Sequence, residues 1–202
     1  MYVNCMNKVV ELKGLTKYYG DTVGIDDLSL SIDAGEVVGF LGPNGAGKST
    51  TIRTLLGLIR PTSGSARFFG RDALTNAVEI RNSIGYLPGV PEYYSKYKAL
   101  DFLRLFAKIR GKNCDSKIFQ YAKKLELDLN RKIADLSKGN RQKVGVIQAF
   151  MHEPTIIFLD EPTSGLDPLV QIEFEKILDE AKQRGAAILL SSHVMSEVEH
   201  LA

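Results

Sequence analysis

The 202-residue chain has no tryptophan, seven prolines and only two cysteines, Cys5 and Cys114, widely separated. So few thiols exclude a disulfide-stapled scaffold and a cysteine-rich metal centre, and they predict reduced thiols in a cytoplasmic protein. Charge of one sign is also missing: 26 Lys and Arg stand against 24 Asp and Glu, a formal net of +2. The cations are scattered, so nothing calls for nucleic acid or an anionic membrane, and pairs such as Lys123-Lys124 read as solvated helix faces. The longest apolar runs, Ile156 to Leu159 and Ala186 to Leu190, fall far short of the ~20 residues that cross a bilayer. No signal peptide is visible at the start. If the protein acts at a membrane, another chain must span it. What remains, 44% hydrophobic and 25% charged residues, suits an ordinary globular protein with a sizeable core, one domain with a subdomain.

Against that plain background one segment stands out: Gly42-Pro43-Asn44-Gly45-Ala46-Gly47-Lys48-Ser49-Thr50. It follows Val37-Val38-Gly39-Phe40-Leu41, which reads as a buried strand. It precedes Ile52, Leu55, Leu56 and Ile59, apolar at helical spacing until Pro61 forbids continuation. Strand, glycine-rich loop and helix are the context of a phosphate-binding loop, in which backbone N–H groups and a helix N-terminus face phosphate oxygens. Such a loop implies a nucleoside triphosphate with magnesium. Lys48 bridges the terminal phosphates in this pattern, and Ser49 ligates the metal.

Elsewhere Val9 to Leu15 and the alternating Leu28, Leu30 and Ile32 predict strands on either side of the Tyr19-Gly20-Asp21-Thr22 turn, a small antiparallel layer ahead of the phosphate loop. Ala66 to Phe69 and Ile84 to Leu87 are short strand candidates. Leu100 to Ile109 repeats apolar residues at helical intervals and stops at Gly111, within a stretch from about Glu92 to Met151 that reads as mainly helical. Thr155 to Leu159 and Ala187 to Leu190 are continuous apolar runs, as in parallel strands buried on both faces. Asp167-Pro168 between them opens a helix with Phe174, Ile177, Leu178 and Ala181 inward, ending at Gly185; strand, helix and strand form a right-handed crossover. The predicted class is α/β, a P-loop fold with a mainly parallel central sheet, a small N-terminal antiparallel β layer and an inserted helical subdomain at about 92–151.

Two further constellations add chemistry. Asp160 and Glu161 directly follow a buried strand, at the carboxyl end where ligands of open α/β sheets sit. One carboxylate can hold magnesium while the other polarises water, although an acidic strand-to-turn transition would look the same. Leu136-Ser137-Lys138-Gly139-Asn140 precedes a helical pattern, either as an ordinary N-cap or as a second anion site.

In their order, the phosphate loop, the Ser137 segment, Ile156-Ile157-Phe158-Leu159-Asp160-Glu161-Pro162-Thr163-Ser164-Gly165-Leu166-Asp167 and Ser191-Ser192-His193 resemble the ATP-binding subunit of an ABC transporter. The match covers essentially the whole chain. The resemblance implies ATP and Mg2+ as cofactors and a head-to-tail dimer with a second copy or a paralogue. Each ATP would lie between one subunit's phosphate loop and the other's signature segment. It implies that Tyr19 stacks on adenine, with Tyr18 an equal candidate. Gly42, Pro43, Asn44, Gly45, Ala46, Gly47, Lys48, Ser49 and Thr50 would cradle the phosphates, and Ser49 and Asp160 would hold the metal. Glu161 would be the general base, and His193 would sense the γ-phosphate. Ser137 and Gly139 would contact the partner-bound γ-phosphate, with Asp167 at the dimer interface. His152 and His200 would be solvated polar positions. Separate transmembrane permease subunits would be the membrane partners, leaving this subunit cytoplasmic and peripheral on the inner face of the cell membrane. Gly39-Phe40-Leu41-Gly42-Pro43-Asn44-Gly45-Ala46-Gly47-Lys48, Ile84-Gly85-Tyr86-Leu87-Pro88 and Leu136-Ser137-Lys138-Gly139 are similar to exporter ATPases of the drug, antibiotic and sodium efflux type.

The chain departs from the family pattern in three places. Gly89 occupies the position of a glutamine that reaches the magnesium shell, so either a neighbour such as Glu92 substitutes or water fills the gap. Lys138 and Asn140 replace the commoner glycine and glutamine. The chain stops at Ala202, where the family continues with further strands, which implies a truncated piece. Two other functions fit the phosphate loop: a soluble ABC-type ATPase acting on ribosomes or DNA, and a non-hydrolysing regulatory module that dimerises on nucleotide. Paired domains, a coiled-coil insertion or zinc cysteines would mark the former, and none is visible.

Overall fold

The computed structural model describes residues 8–43, 45–195 and 198–199; Cys5, Asn44 and His200 lie outside them. In chain order the strands are β1 (Lys8–Tyr19), β2 (Thr22–Asp33), β3 (Val37–Leu41), β4 (Ser63–Phe68), β5 (Arg71–Asp72), β6 (Ile84–Leu87), β7 (Ile156–Asp160) and β8 (Ala187–Ser192). The helices are α1 (Lys48–Leu55), α2 (Ala77–Asn82), α3 (Ala99–Ile109), α4 (Asp115–Lys124), α5 (Lys138–Phe150) and α6 (Pro168–Gln183).

The strands form an antiparallel sheet in the order β2-β1-β4-β5 and a parallel sheet in the order β3-β8-β7-β6. The expected N-terminal antiparallel layer is present as β1 and β2, and β4 and β5 extend it from beyond the phosphate loop. In β4 the buried Ala66 and Phe68 alternate with the less buried Ser65 and the exposed Arg67, the pattern of a half-buried strand. The fully buried Phe68 ring meets Phe158 of β7 at 6.2 Å, which ties the two sheets together.

Side-chain alternation along the parallel strands divides the interior into two cores. Ile157 and Leu159 of β7 and Ile188 and Leu190 of β8 face the helices α3 to α6. Ile156, Phe158, Ala187 and Leu189 face α1 and the antiparallel sheet. Both strands are buried at every position, as the continuous apolar runs predict. α6 connects them and packs with Phe174 edge-on to Phe150 of α5, ring centroids 6.2 Å apart.

α1 ends at Leu55, well short of Pro61. Leu58 N–H donates to the Arg53 carbonyl and Gly57 N–H to that of Thr54, a paired closure that stops the helix before proline matters. In the 92–151 stretch lie α3, a short 3-10 turn at Ile133–Asp135, α4 and α5. Its first residues are irregular, with a turn closed by Tyr97 N–H donating to the Tyr94 carbonyl, and Lys98 pairs with Lys132 in an antiparallel bridge. Of the expected solvated lysine pair, Lys124 is tied to Glu180 of α6. Cys114 is a buried free thiol.

His152 contradicts its expectation as a solvated residue: it is 3% exposed. The chain turns inward after α5, and the Nε2–H of His152 donates to the Ile84 carbonyl at 3.1 Å. That carbonyl also accepts from the Arg110 guanidinium at 3.1 Å. Burial, helped by the Arg110 charge, pushes the imidazole down to about 4 and so keeps it neutral.

Candidate active site

β3 delivers its carboxyl end into the glycine loop, and Lys48 opens α1 from there. Gly47 takes a left-handed φ of 89°, and a Cβ on it would lie 2.1 Å from the Gly24 carbonyl of β2. Only glycine lets the hairpin press on the loop this closely. The Lys48 ammonium is 6% exposed and donates to the carbonyls of Gly42 at 2.6 Å and Pro43 at 3.0 Å, holding the loop curled around it. Gly45, Gly47, Lys48, Ser49 and Thr50 border a cavity of about 490 Å³ that is also lined by Asp160, Glu161 and His193.

Across the cavity the two carboxylates differ in setting. Asp160 is pinned by two hydroxyls, Ser49 Oγ donating to Oδ2 at 2.6 Å and Ser191 Oγ to Oδ1 at 2.5 Å. Glu161 adopts a left-handed φ of 51°, unusual for a residue with a side chain. Its N–H still donates to the Ser191 carbonyl at 3.1 Å. The turn aims the side chain back over the cavity, where Oε2 meets His193 Nδ1 at 2.7 Å. Oε1 is buried with no hydrogen-bond partner among the described residues and stands 3.9 Å from Lys48 Nζ. Backbone strain of this kind concentrates where a side chain has to be aimed.

The cavity therefore gathers the loop glycines, Lys48, Ser49, Thr50, Asp160, Glu161 and His193 from segments distant in sequence. Pro43 supplies a carbonyl to Lys48. Gly42 and Ala46 complete the curl, a Cβ on Gly42 falling 3.1 Å from that of Ala46. Other expected residues stand outside it. Tyr19 is half exposed at the end of β1, with Lys17 Nζ 5.1 Å above its ring and Gly24 beneath. It thus belongs to the hairpin that touches the loop. Tyr18 is similarly exposed, so the two tyrosines are not separated by burial. Ser137 caps α5, accepting from Asn140 N–H at 3.2 Å, and Asp167 caps α6, accepting from Val170 N–H at 3.0 Å. Gly139 fits against the Gly165 carbonyl, only 2.5 Å from where a Cβ would be. Each of these three has a sufficient reason within its own chain.

At Gly89 a Cβ would lie 3.4 to 3.5 Å from Asp160, ordinary contact distance, so space does not demand glycine there. Glu92, the neighbour named as a substitute, is not among the residues lining the main cavity. It borders a separate, more apolar groove with Leu58, Tyr93, Phe102 and Phe106. Gly89 itself lines the main cavity beside Tyr86, Arg53, Lys138 and Ser164, none of which was predicted as a site residue. Gln142 was also missed: 3% exposed, it donates to the Pro162 carbonyl at 3.0 Å and braces the turn after Glu161. Ser191 was visible only as part of a motif, although a hydroxyl ending an apolar strand was the available signal.

A parallel sheet with a glycine loop between strand and helix, and two carboxylates at the carboxyl end of β7, defines a P-loop nucleotide-binding fold. More narrowly, the chain belongs to the ABC transporter family, whose model matches residues 25–164. It is 39% identical over 200 residues to the Bacitracin transport ATP-binding protein BcrA of Bacillus licheniformis, covering 97% of this chain and 65% of that protein. It is 35% identical to the Nod factor export ATP-binding protein I of Cupriavidus pinatubonensis, covering 98% of this chain and 63% of that one. The chain therefore spans just under two thirds of the length of these two relatives. Among solved structures it resembles one described as the ATP binding subunit of an ABC transporter, with a TM-score of 0.90, 33% identity and coverage of 96% of this chain and 83% of that one.

Proposed function

We propose that this chain binds and hydrolyses ATP to power an ABC-type membrane transporter, an exporter whose membrane pathway is built by separate permease chains. The observation that carries this is the convergence of Lys48, Ser49, Asp160, Glu161 and His193 on one cavity beside an open glycine loop. The exporter direction is supported by the likeness to the Nod factor export ATP-binding protein I. Among the described residues no helix is long and apolar enough to cross a membrane, which supports a peripheral subunit on the inner face of the cell membrane.

Lys48 neutralises the terminal phosphates, and the loop N–H groups hold them in line for attack. Ser49 Oγ and Asp160 Oδ2, 2.6 Å apart, are a pair of hard oxygen donors that suits Mg2+. Bound there, the ion would offset charge on the phosphates. Glu161 is the general base, taking a proton from the water that attacks the γ-phosphorus while the bond to the β–γ bridging oxygen breaks. Its proton then passes to the released phosphate. His193 orients Glu161 through the 2.7 Å contact and faces the γ-phosphate. Tyr19 stacks on adenine from the hairpin. A second copy or a paralogue completes each site, placing its Ser137 and Gly139 on the γ-phosphate and its Asp167 at the interface. The region 92–151 acts as a helical subdomain.

The test is a pair of assays on the full-length protein. ATP binding with steady-state phosphate release supports the reading, and ATP binding without release would move it to a non-hydrolysing regulatory module, the alternative that Gly89 favours. Affinity purification from detergent-solubilised membranes should recover a polytopic protein in stoichiometric amount; recovery of ribosomes instead would sink the transport role.

A further inference from the structure

We infer that Ser191 is a positioning residue for the metal-binding carboxylate, a role that rests on the nucleotide site proposed above. Ser191 follows four fully apolar residues of β8, stands opposite Asp160 in the parallel register and has 0% exposure. A hydroxyl buried so completely is costly unless it is hydrogen-bonded. Its proton goes to Asp160 Oδ1 at 2.5 Å, while its carbonyl accepts from Glu161 N–H at 3.1 Å. One residue thus holds the side chain of the first carboxylate and the backbone of the second.

The reason Asp160 needs such a partner is torsional. Rotation about its Cβ–Cγ bond is soft, with no sharp staggered wells to set the plane of the carboxylate. With Oδ1 fastened to Ser191, the plane is fixed and Oδ2 is left facing Ser49 Oγ at 2.6 Å. Removing the hydroxyl frees that rotation and leaves Asp160, itself 6% exposed, with one oxygen short of a donor. The oxygen pair offered to a divalent cation then loses its pre-set geometry, whereas the loop and Lys48, which meet the phosphates, are untouched.

Partners that orient a metal ligand from behind are typically worth about 10- to 100-fold in metal affinity. The experiment titrates the full-length protein first with a fluorescent ATP analogue in chelator and then with Mg2+. Ser191→Ala should bind the analogue as wild type does without metal and need about tenfold more Mg2+ for the half-maximal metal response. Adding Ser191→Ala to Asp160→Asn should move that midpoint no further, since the serine acts through the aspartate. A wild-type midpoint in Ser191→Ala, or a further shift in the double variant, overturns the role. Should Ser191→Ala not fold, the near-isosteric Ser191→Cys, whose thiol is a weak donor, should show the same displacement in the same direction, and no displacement overturns the role. Failure of the wild type to bind the analogue at all would instead bring down the nucleotide site on which the inference rests.

Discussion

The helices α1 and α5 start in opposite ways. α1 begins at Gly47 with no side chain capping it, and the residues of its first turn line the cavity. α5 begins at Ser137, whose hydroxyl already accepts from Asn140 N–H, and its far end runs into His152, which is fastened to Ile84. A helix start left open toward a cavity is suited to an anion, while a capped one satisfies its own backbone. The contrast separates what one chain can do alone from what it can do only with a partner. The described residues of the phosphate loop line the cavity of their own subunit, whereas the Ser137 segment has its needs met internally and, in the proposed dimer, would gain a second purpose against the other subunit's nucleotide.

The largest expected effect tests the open side. Glu161→Gln should retain ATP binding and lower steady-state phosphate release by about 1,000-fold, the scale of a lost general base. Turnover near that of wild type would remove Glu161 from the role. Next comes the fastened end of α5. Because burial holds His152 neutral with its pKa at about 4, the unfolded chain takes up a proton below about pH 6.5 that the folded chain refuses. Stability should therefore be unaffected by this group above pH 6.5 and fall by about 3 kcal/mol as the pH drops from 6.5 to 4. Urea unfolding of wild type and His152→Gln across that window should show the extra slope in wild type alone.

Lys48→Ala should weaken ATP binding roughly 100-fold, measured by equilibrium titration, since it removes a preorganised cation from the phosphate end. The smallest effect sharpens the comparison most. Ser137→Ala should cost about 1 kcal/mol of stability through the lost cap and leave nucleotide binding to the isolated subunit unchanged. In a Glu161→Gln background, sedimentation should then show whether ATP-driven pairing weakens by more than the stability change explains. Equal loss in both measurements would confine Ser137 to capping.

The parallel half of the fold was legible because burial on both faces leaves Ile156 to Leu159 and Ala187 to Leu190 no alternative but apolar strands. The phosphate loop was legible because glycine spacing states its backbone geometry directly. The antiparallel sheet was legible only in its N-terminal pair, since nothing local in Ser63 to Phe68 says which strand it will pair with. The two-residue β5 and the six-residue α2 are too short to carry periodicity. His152 was misjudged because its burial is set by contacts with Ile84 and Arg110, which lie far away in sequence. Ser191, Gln142 and Arg53 were invisible as individuals for the same reason. A hydroxyl or amide announces its partner only when the fold brings that partner near.

The strand order of the parallel sheet also bears on how the protein is made. Among the described residues β3, which carries the phosphate loop, pairs within that sheet only with β8, Val37 beside Ile188 and Leu41 beside Ser192. During synthesis the loop is therefore translated long before the strand that supports it leaves the ribosome. The hairpin of β1 and β2 can close early from local contacts, but β3 must wait for a distant partner, and pairings of such long range are slow. A nascent chain thus cannot assemble the cavity that joins Lys48 to Asp160 and His193 until β8 arrives.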